Sequence, residues 1–70
     1  MTQFPERLKQ LREERGISQA VVSKELNVSR YAVYSYEKGK TSPTLEGLIA
    51  LADYFDVTTD YLLGRTDKRN

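Results

Sequence analysis

The stretch VSRYAVYSYEKGK, residues 28–40, contains three of the five tyrosines of this 70-residue chain. Valine and tyrosine favour strands, yet both ends of the stretch are typical of a helix. Ser29 occupies an N-cap position, and Val28 and Val33 are spaced as a hydrophobic staple. Gly39 follows Lys38 at the other end, as expected where a helix stops. The stretch is therefore predicted to form a helix over residues 29–38.

Similar start and stop signals divide the rest of the chain into four more helices. Pro5 and Gly16 stand at the beginning and just past the end of the first helix. The second, fourth and fifth helices each begin after a hydroxyl side chain suited to capping: Ser18, Thr44 and Thr58. The pattern predicts an all-α, compact five-helix domain.

Apolar side chains recur at helical spacing within the predicted helices. A single domain is expected over residues 1–70, with its core at about residues 4–64 and a polar tail at residues 65–70. The predicted core side chains are Phe4, Leu8, Leu11, Val22, Leu26, Val33, Tyr36, Leu45, Leu48, Leu51, Ala52, Phe55, Val57 and Leu62.

A very short connection joins the second and third helices. It consists of Asn27, Val28 and Ser29, and asparagine tolerates the left-handed conformation that a tight turn requires. Two helices joined in this way form a helix-turn-helix. The side chains that then face outward from the third helix are Tyr31, Tyr34, Ser35 and Lys38.

The composition argues against several functional classes. With neither cysteine nor histidine, the chain lacks the common nucleophile–base pairs of enzymes. It has no phosphate-binding glycine loop, and Asp53, Asp56 and Asp60 do not match a calcium loop. We expect no catalysis, no metal and no cofactor. The chain shows no signal peptide or membrane span, which fits a cytoplasmic protein.

Charge is distributed unevenly along the chain. Residues 1–43 contain eight Lys and Arg against five Asp and Glu, a net of +3, whereas residues 44–63 contain four acidic residues and no basic one. Such a dipolar chain can direct its basic part toward a polyanion. Alternatively, a chance distribution of charged residues on a small solvent-exposed surface gives the same net charges.

The sequence resembles the phage-repressor and Cro-type (XRE-like) helix-turn-helix family over about residues 4–64. Besides the helix-turn-helix itself, the flanking phrases RLKQLREERGISQ, YEKGKTSPTLEGLIALADYF and VTTDYLLG are similar to the family. Ser23 and Asn27 depart from its usual Ala and Gly. Counted from Gln19, the apolar positions of the motif are Val22, Leu26, Val28, Val33 and Tyr36.

This resemblance implies a lambda-repressor-like fold and a sequence-specific regulator of transcription, in particular a repressor, that binds double-stranded DNA. By resemblance Arg30, Tyr31 and Ser35 occupy base-reading positions, with Tyr34 beside them. The planar fork of arginine matches guanine O6 and N7, and a tyrosine ring suits a thymine methyl group. Alternatively, the tyrosines are simply exposed or cover a neighbouring helix.

Phosphate contacts are expected around the third helix. Gln19 matches a family position that touches backbone phosphate, and Ser29 is a second candidate whose alternative role is a simple N-cap. The turn after the third helix adds Lys38, Lys40 and Thr41.

The resemblance also pairs Arg12 with Glu37 in an ion pair that orients the third helix, and it implies a homodimer on two-fold-related half-sites. The expected dimer surface comprises Tyr54, Tyr61 and Leu63, which fall off the predicted core stripes. A protein-interaction or antitoxin-like module on the same fold is the alternative function.

Overall fold

The computed structural model describes residues 2–70, and over these residues the chain forms helices without any strand. The helices are α1 (Phe4–Glu14), α2 (Gln19–Glu25), α3 (Ala32–Glu37), α4 (Leu45–Tyr54) and α5 (Thr59–Leu63). The predicted all-α five-helix domain is confirmed. None of the helices described is long and apolar enough to cross a bilayer.

Three helices begin at the hydroxyl caps that the sequence predicts. Ser18 Oγ accepts a hydrogen bond from the Val21 N–H at 3.2 Å. Thr44 and Thr58 do the same for the N–H groups three residues further on, at 3.0 and 2.9 Å. Each bond satisfies one of the backbone donors that a helix N-terminus leaves without an internal partner.

The turn between α2 and α3 is a Schellman motif centred on Asn27, whose φ of 57° lies in the left-handed region. The Asn27 N–H donates to Lys24 O and the Val28 N–H donates to Ser23 O, both at 3.0 Å. Asparagine therefore performs the role that glycine usually has at this position, as predicted. Asp56 ends α4 in the same conformation, with φ of 56°.

The beginning of α3 differs from the prediction. The helix starts at Ala32, three residues after Ser29, and Ser29 does not cap it; instead the Ser29 carbonyl accepts from the Ala32 N–H at 3.0 Å in a turn. Val28 is exposed, so the predicted staple with Val33 is absent. The cap comes from another helix: the fully buried Ser23 of α2 accepts the Val33 N–H through Oγ at 3.3 Å.

The hydrophobic core lies where the five helices meet and contains most of the predicted side chains. Leu45 is an exception, because it is 77% exposed. It is the first residue of α4, and a helical side chain leans toward the helix N-terminus, where no other helix covers it. Leu26 and Leu48 are half-buried against the core.

The C-terminal residues 65–70 fold back on α1 and α5. The Thr58 N–H donates to Arg69 O at 2.8 Å, and Arg69 forms a bidentate pair with Glu14 at 2.7 and 2.8 Å. The hydrogen bonds from Arg69 hold the pKa of the Glu14 carboxyl below its usual range. Arg7 donates to the carbonyl of Thr66 at 2.8 Å. The polar tail is therefore attached to the domain surface.

The tail explains why the predicted exposure of Tyr61 is wrong. The Tyr61 ring packs against the guanidinium groups of Arg7 and Arg69, 4.1 and 5.3 Å from the ring centre. Only 6% of Tyr61 is exposed. A residue on the open side of α5 thus becomes part of the core because two arginines cover it.

We predict that Ser23→Ala destabilises the domain, although alanine is the residue expected at this motif position. The substitution leaves the buried Val33 N–H without its acceptor, at a cost of ~1 kcal/mol. In a domain of this size that lowers Tm by about 4–8 °C. Thermal unfolding followed by circular dichroism measures the change. Ser29→Ala, at an exposed serine whose side chain does not cap α3, is the matched control and should leave Tm unchanged. Equal melting temperatures for the two variants would contradict the role given to Ser23.

Candidate nucleic-acid interface

The turn and α3 present an outward face that the core does not use. Arg30 and Tyr31 lie in the turn just before α3, and Tyr34 and Ser35 lie on α3 itself. Tyr31 is 67% exposed and Tyr34 42%, whereas Ser35 is half-buried. The four predicted base-reading residues thus lie in one region of the structure. Arg30 and Tyr31, however, precede the helix, because α3 begins only at Ala32.

An open cleft lies between the first turn of α2 and this outward face. The Arg30 guanidinium lies 5.5 Å from the centre of the Tyr31 ring, which holds a planar donor group beside an aromatic surface. We call this the α2–α3 cleft; it is lined by Gln19, Ala20, Arg30, Tyr31 and Tyr34. Both tyrosine rings therefore border solvent-accessible space.

Arg12 of α1 and Glu37 of α3 meet in a bidentate ion pair. Arg12 Nε lies 2.7 Å from Glu37 Oε2, and Arg12 Nη2 lies 3.0 Å from Oε1. The Glu37 side chain is only 4% exposed and that of Arg12 13%. The hydrogen bond to Glu37 raises the pKa of Arg12. Arg12 Nη1 also donates to the carbonyl of Ile17, at 3.0 Å, which ties the end of α1 into the same network.

Gln19 is a third member of this network, which the sequence did not indicate. Its Nε2 donates to Glu37 Oε1 at 3.0 Å. One amide N–H is thus used inside the protein, while the second N–H and the carbonyl oxygen remain for an external ligand. No sequence signal identifies this bond, because residues 19 and 37 lie on different helices and meet only after the turn between α2 and α3 has formed.

The remaining phosphate candidates surround α3 on exposed positions. Ser29 lies in the turn before the helix, and Lys38 follows directly after it with its ammonium 5.6 Å from the centre of the Tyr34 ring. The Lys40 N–H donates to Ser35 O at 3.0 Å, which fixes Lys40 just past the end of α3. Thr41 is the next residue of the loop.

The predicted dimer residues do not form one surface. Tyr61 is buried, and the Tyr54 ring lies edge-on to Phe55 at 5.0 Å beneath the Arg15 guanidinium. Leu63 is half-buried and borders an apolar groove. This groove, the α4 groove, is lined by Thr2, Phe4, Ser42, Pro43, Thr44, Leu45, Leu48 and Leu63.

Two exposed apolar side chains of α4 were not among the predicted dimer residues. Leu45 and Ile49 lie one helical turn apart and are 77% and 53% exposed. Ile49 was detectable in the sequence, because it falls off the core stripe of α4. Leu45 fits that stripe by spacing, so only the structure reveals its exposure.

Comparison with known proteins agrees with this geometry. The helix-turn-helix family model matches residues 8–62. The chain belongs to the helix-turn-helix family. A solved P22 c2 repressor in complex with a synthetic operator is 35% identical to it with a TM-score of 0.81, covering 86% of this chain and 91% of that one. The predicted phage-repressor resemblance is confirmed.

Other relatives of this helix-turn-helix domain are longer. A transcriptional regulator from Listeria innocua is 39% identical with a TM-score of 0.87, and the match covers 91% of this chain and 60% of that one. The transcriptional activator BcrR of Enterococcus faecalis is 39% identical over 61 residues, which are 87% of this chain and 30% of BcrR. The chain therefore spans less than a third of that curated relative.

For this helix-turn-helix domain we predict that Arg12→Ala costs ~3–5 kcal/mol of stability, because it leaves the Glu37 carboxylate buried without its cation. Glu37→Gln should cost less, since the isosteric amide keeps one acceptor oxygen. Urea unfolding of Arg12→Ala, Glu37→Ala and the double variant gives the coupling. The double variant should lose about 0.5–3 kcal/mol less than the sum of the single losses. Strict additivity would show that the two side chains do not stabilise each other.

Proposed function

We propose that this helix-turn-helix domain is a sequence-specific regulator of transcription that binds double-stranded DNA and acts as a repressor. The supporting observation is the outward face of α3 and its preceding turn, where an arginine and two tyrosines border an open cleft. A helix with such a face fits the major groove of B-DNA. Repression is favoured by the likeness to the P22 c2 repressor bound to a synthetic operator, which is 35% identical and matches 86% of this chain.

In this proposal, bases are recognised at the α2–α3 cleft. Arg30 contributes two parallel N–H donors that match guanine O6 and N7 in the major groove. Tyr31 and Tyr34 offer apolar ring surface for a thymine methyl group, and their hydroxyls can bond to base edges or phosphate. Ser35 follows Tyr34 on α3 and does not line the cleft; its hydroxyl is the fourth candidate base contact.

Backbone phosphates bind around this cleft. Gln19 lines it, Ser29 directly precedes Arg30 in the turn, and the turn after α3 supplies Lys38, Lys40 and Thr41. Residues 44–63 contain four acidic and no basic residues, so α4 and α5 are disfavoured as a DNA-facing surface. Since the proposed ligand is genomic DNA, we place the site of action in the cytoplasm.

A homodimer forms, in this proposal, through the α4 groove. Leu45 lines a groove whose apolar residues include Pro43, Leu48 and Leu63, and Ile49 is exposed one helical turn further along α4. A two-fold axis lets each copy insert Leu45 into the other copy's groove, which is a self-complementary arrangement. None of the residues that line the α2–α3 cleft belongs to α4 or α5, so pairing here leaves the DNA-facing side free.

Loss of Arg30 tests base recognition. Arg30→Ala should weaken binding to the preferred site by ~1–3 kcal/mol, because one base loses its bidentate donor, and preference should relax at that base position. Affinities measured by fluorescence anisotropy on the preferred duplex and on a random duplex give both numbers. Lys24→Ala, at an exposed residue of α2 outside the cleft, is the control. Equal losses on both duplexes would indicate that Arg30 contacts only phosphate.

Charged substitution of Leu45 tests the dimer. Leu45→Glu should shift the protein toward monomer in sedimentation velocity, since a carboxylate would have to enter an apolar groove. Val21→Glu introduces the same charge at an exposed apolar residue of α2 and should leave association unchanged. Because two identical acidic faces repel each other, association of the wild type should tighten as salt rises. A wild type that stays monomeric well above its DNA-binding concentration would rule the dimer out.

A further inference from the structure

We propose that residues 65–70 act as a strap that holds α1 against α5, and that Arg69 of this strap is a positioning residue for α3. This inference rests on the proposed DNA-binding function. On α1 the strap contacts Arg7 and Glu14. No residue of the strap lines the α2–α3 cleft, so the strap acts on DNA binding through α1 and not by touching the bases.

The strap is attached at two points on one side of α1. Arg7 and Glu14 are seven residues apart, which places them on the same side of the helix, two turns from each other. Arg7 Nη1 donates to the carbonyls of Tyr61 and Thr66 at 3.0 and 2.8 Å, so one guanidinium joins α1, α5 and the strap. Arg69 donates through both Nη groups to Glu14 and through Nε to Tyr61 Oη at 3.3 Å. The strap therefore fixes the last turn of α1 to α5.

That last turn of α1 is held from two sides. Glu14 and Arg12 are two residues apart, which directs their side chains to nearly opposite sides of a helix. Glu14 faces the strap, whereas Arg12 faces Glu37 at the end of α3. Two ion pairs thus share one helical turn. The pair with Arg69 holds that turn against α5, and the pair with Glu37 transmits its position to α3.

The strap can be lifted while the domain stays folded. None of residues 65–70 belongs to the hydrophobic core. The Arg69 and Glu14 side chains are 40% and 43% exposed, and an ion pair exposed to this extent contributes little stability and is screened by salt. Segments with few buried apolar contacts open at a lower free energy than the whole domain. Lifting the strap therefore loosens the last turn of α1 without unfolding the core.

DNA affinity measured by fluorescence anisotropy tests the strap. Arg69→Ala should weaken binding to the preferred duplex by about 2- to 30-fold, because α3 loses a support of its orientation. Binding to a random duplex should fall less, and the salt slope should stay unchanged, because Arg69 contacts no phosphate. Arg69→Lys keeps the charge without the bidentate contact and should show a smaller loss of the same kind. Arg65→Ala removes the same charge but breaks only an exposed contact to Asp60, so it should change neither affinity.

Two further variants separate positioning from lost stability. Ala50→Gly, at an exposed position inside α4, destabilises that helix but should keep the preference for the preferred duplex. In Glu37→Gln the contact with Arg12 is already weakened, so Arg69→Ala should cause a smaller further loss of affinity there than in the wild type. Losses that multiply in full would show that the strap does not act through Glu37.

The outcomes distinguish the strap from the proposed function. If the wild type prefers one duplex and Arg69→Ala shows the same preference and affinity, Arg69 does not position α3 while the proposed function stands. If Ala50→Gly loses as much preference as Arg69→Ala, lost stability is the cause and the strap proposal is wrong. If the wild type shows no preference among duplexes, both are wrong. Circular dichroism at the binding temperature should show Arg69→Ala and Arg65→Ala equally folded.

Discussion

The orientation of α3 depends on one carboxylate that is almost completely buried. Glu37 is the last residue of α3, and its two oxygens accept hydrogen bonds from Arg12 of α1 and Gln19 of α2. A helix of six residues is not stable by itself in water, so its direction comes from the groups that hold it. Val33 and Tyr36 anchor its inner side in the core, and Glu37 fixes its end against the two preceding helices.

This arrangement connects stability with recognition. Because Glu37 holds the inner side of α3, Tyr34 and the preceding Arg30 and Tyr31 are directed outward beside the first turn of α2. The same hydrogen bonds compensate the Glu37 carboxylate inside the protein, so that its charge does not oppose an anion at the proposed phosphate ligands Gln19 and Lys38. Burying a charged pair is costly unless its geometry is good. Here the buried Arg12–Glu37 pair fixes the position of α3, a role that apolar side chains enlarging the core would not perform.

The fold was largely predictable, because its signals are local. Three caps, the asparagine turn and the core stripes are each encoded within one or two helical turns. Predictions failed where the decisive contact is distant in sequence: Ser23 caps α3 from the preceding helix, and Arg7 and Arg69 cover Tyr61 from opposite ends of the chain. The region of the predicted base-reading residues followed from the resemblance, whereas the hydrogen bond from Gln19 to Glu37 required the three-dimensional structure.

Selection of bound duplexes from a random-sequence DNA pool tests the central claim most directly. The chain should enrich one sequence arranged as two inverted half-sites about one helical turn apart, and Arg30→Ala should lose the preference at one position in each half-site. Recovery of sequences no different from the starting pool, at salt concentrations where the chain still binds duplex DNA, would contradict sequence-specific recognition by the α3 face.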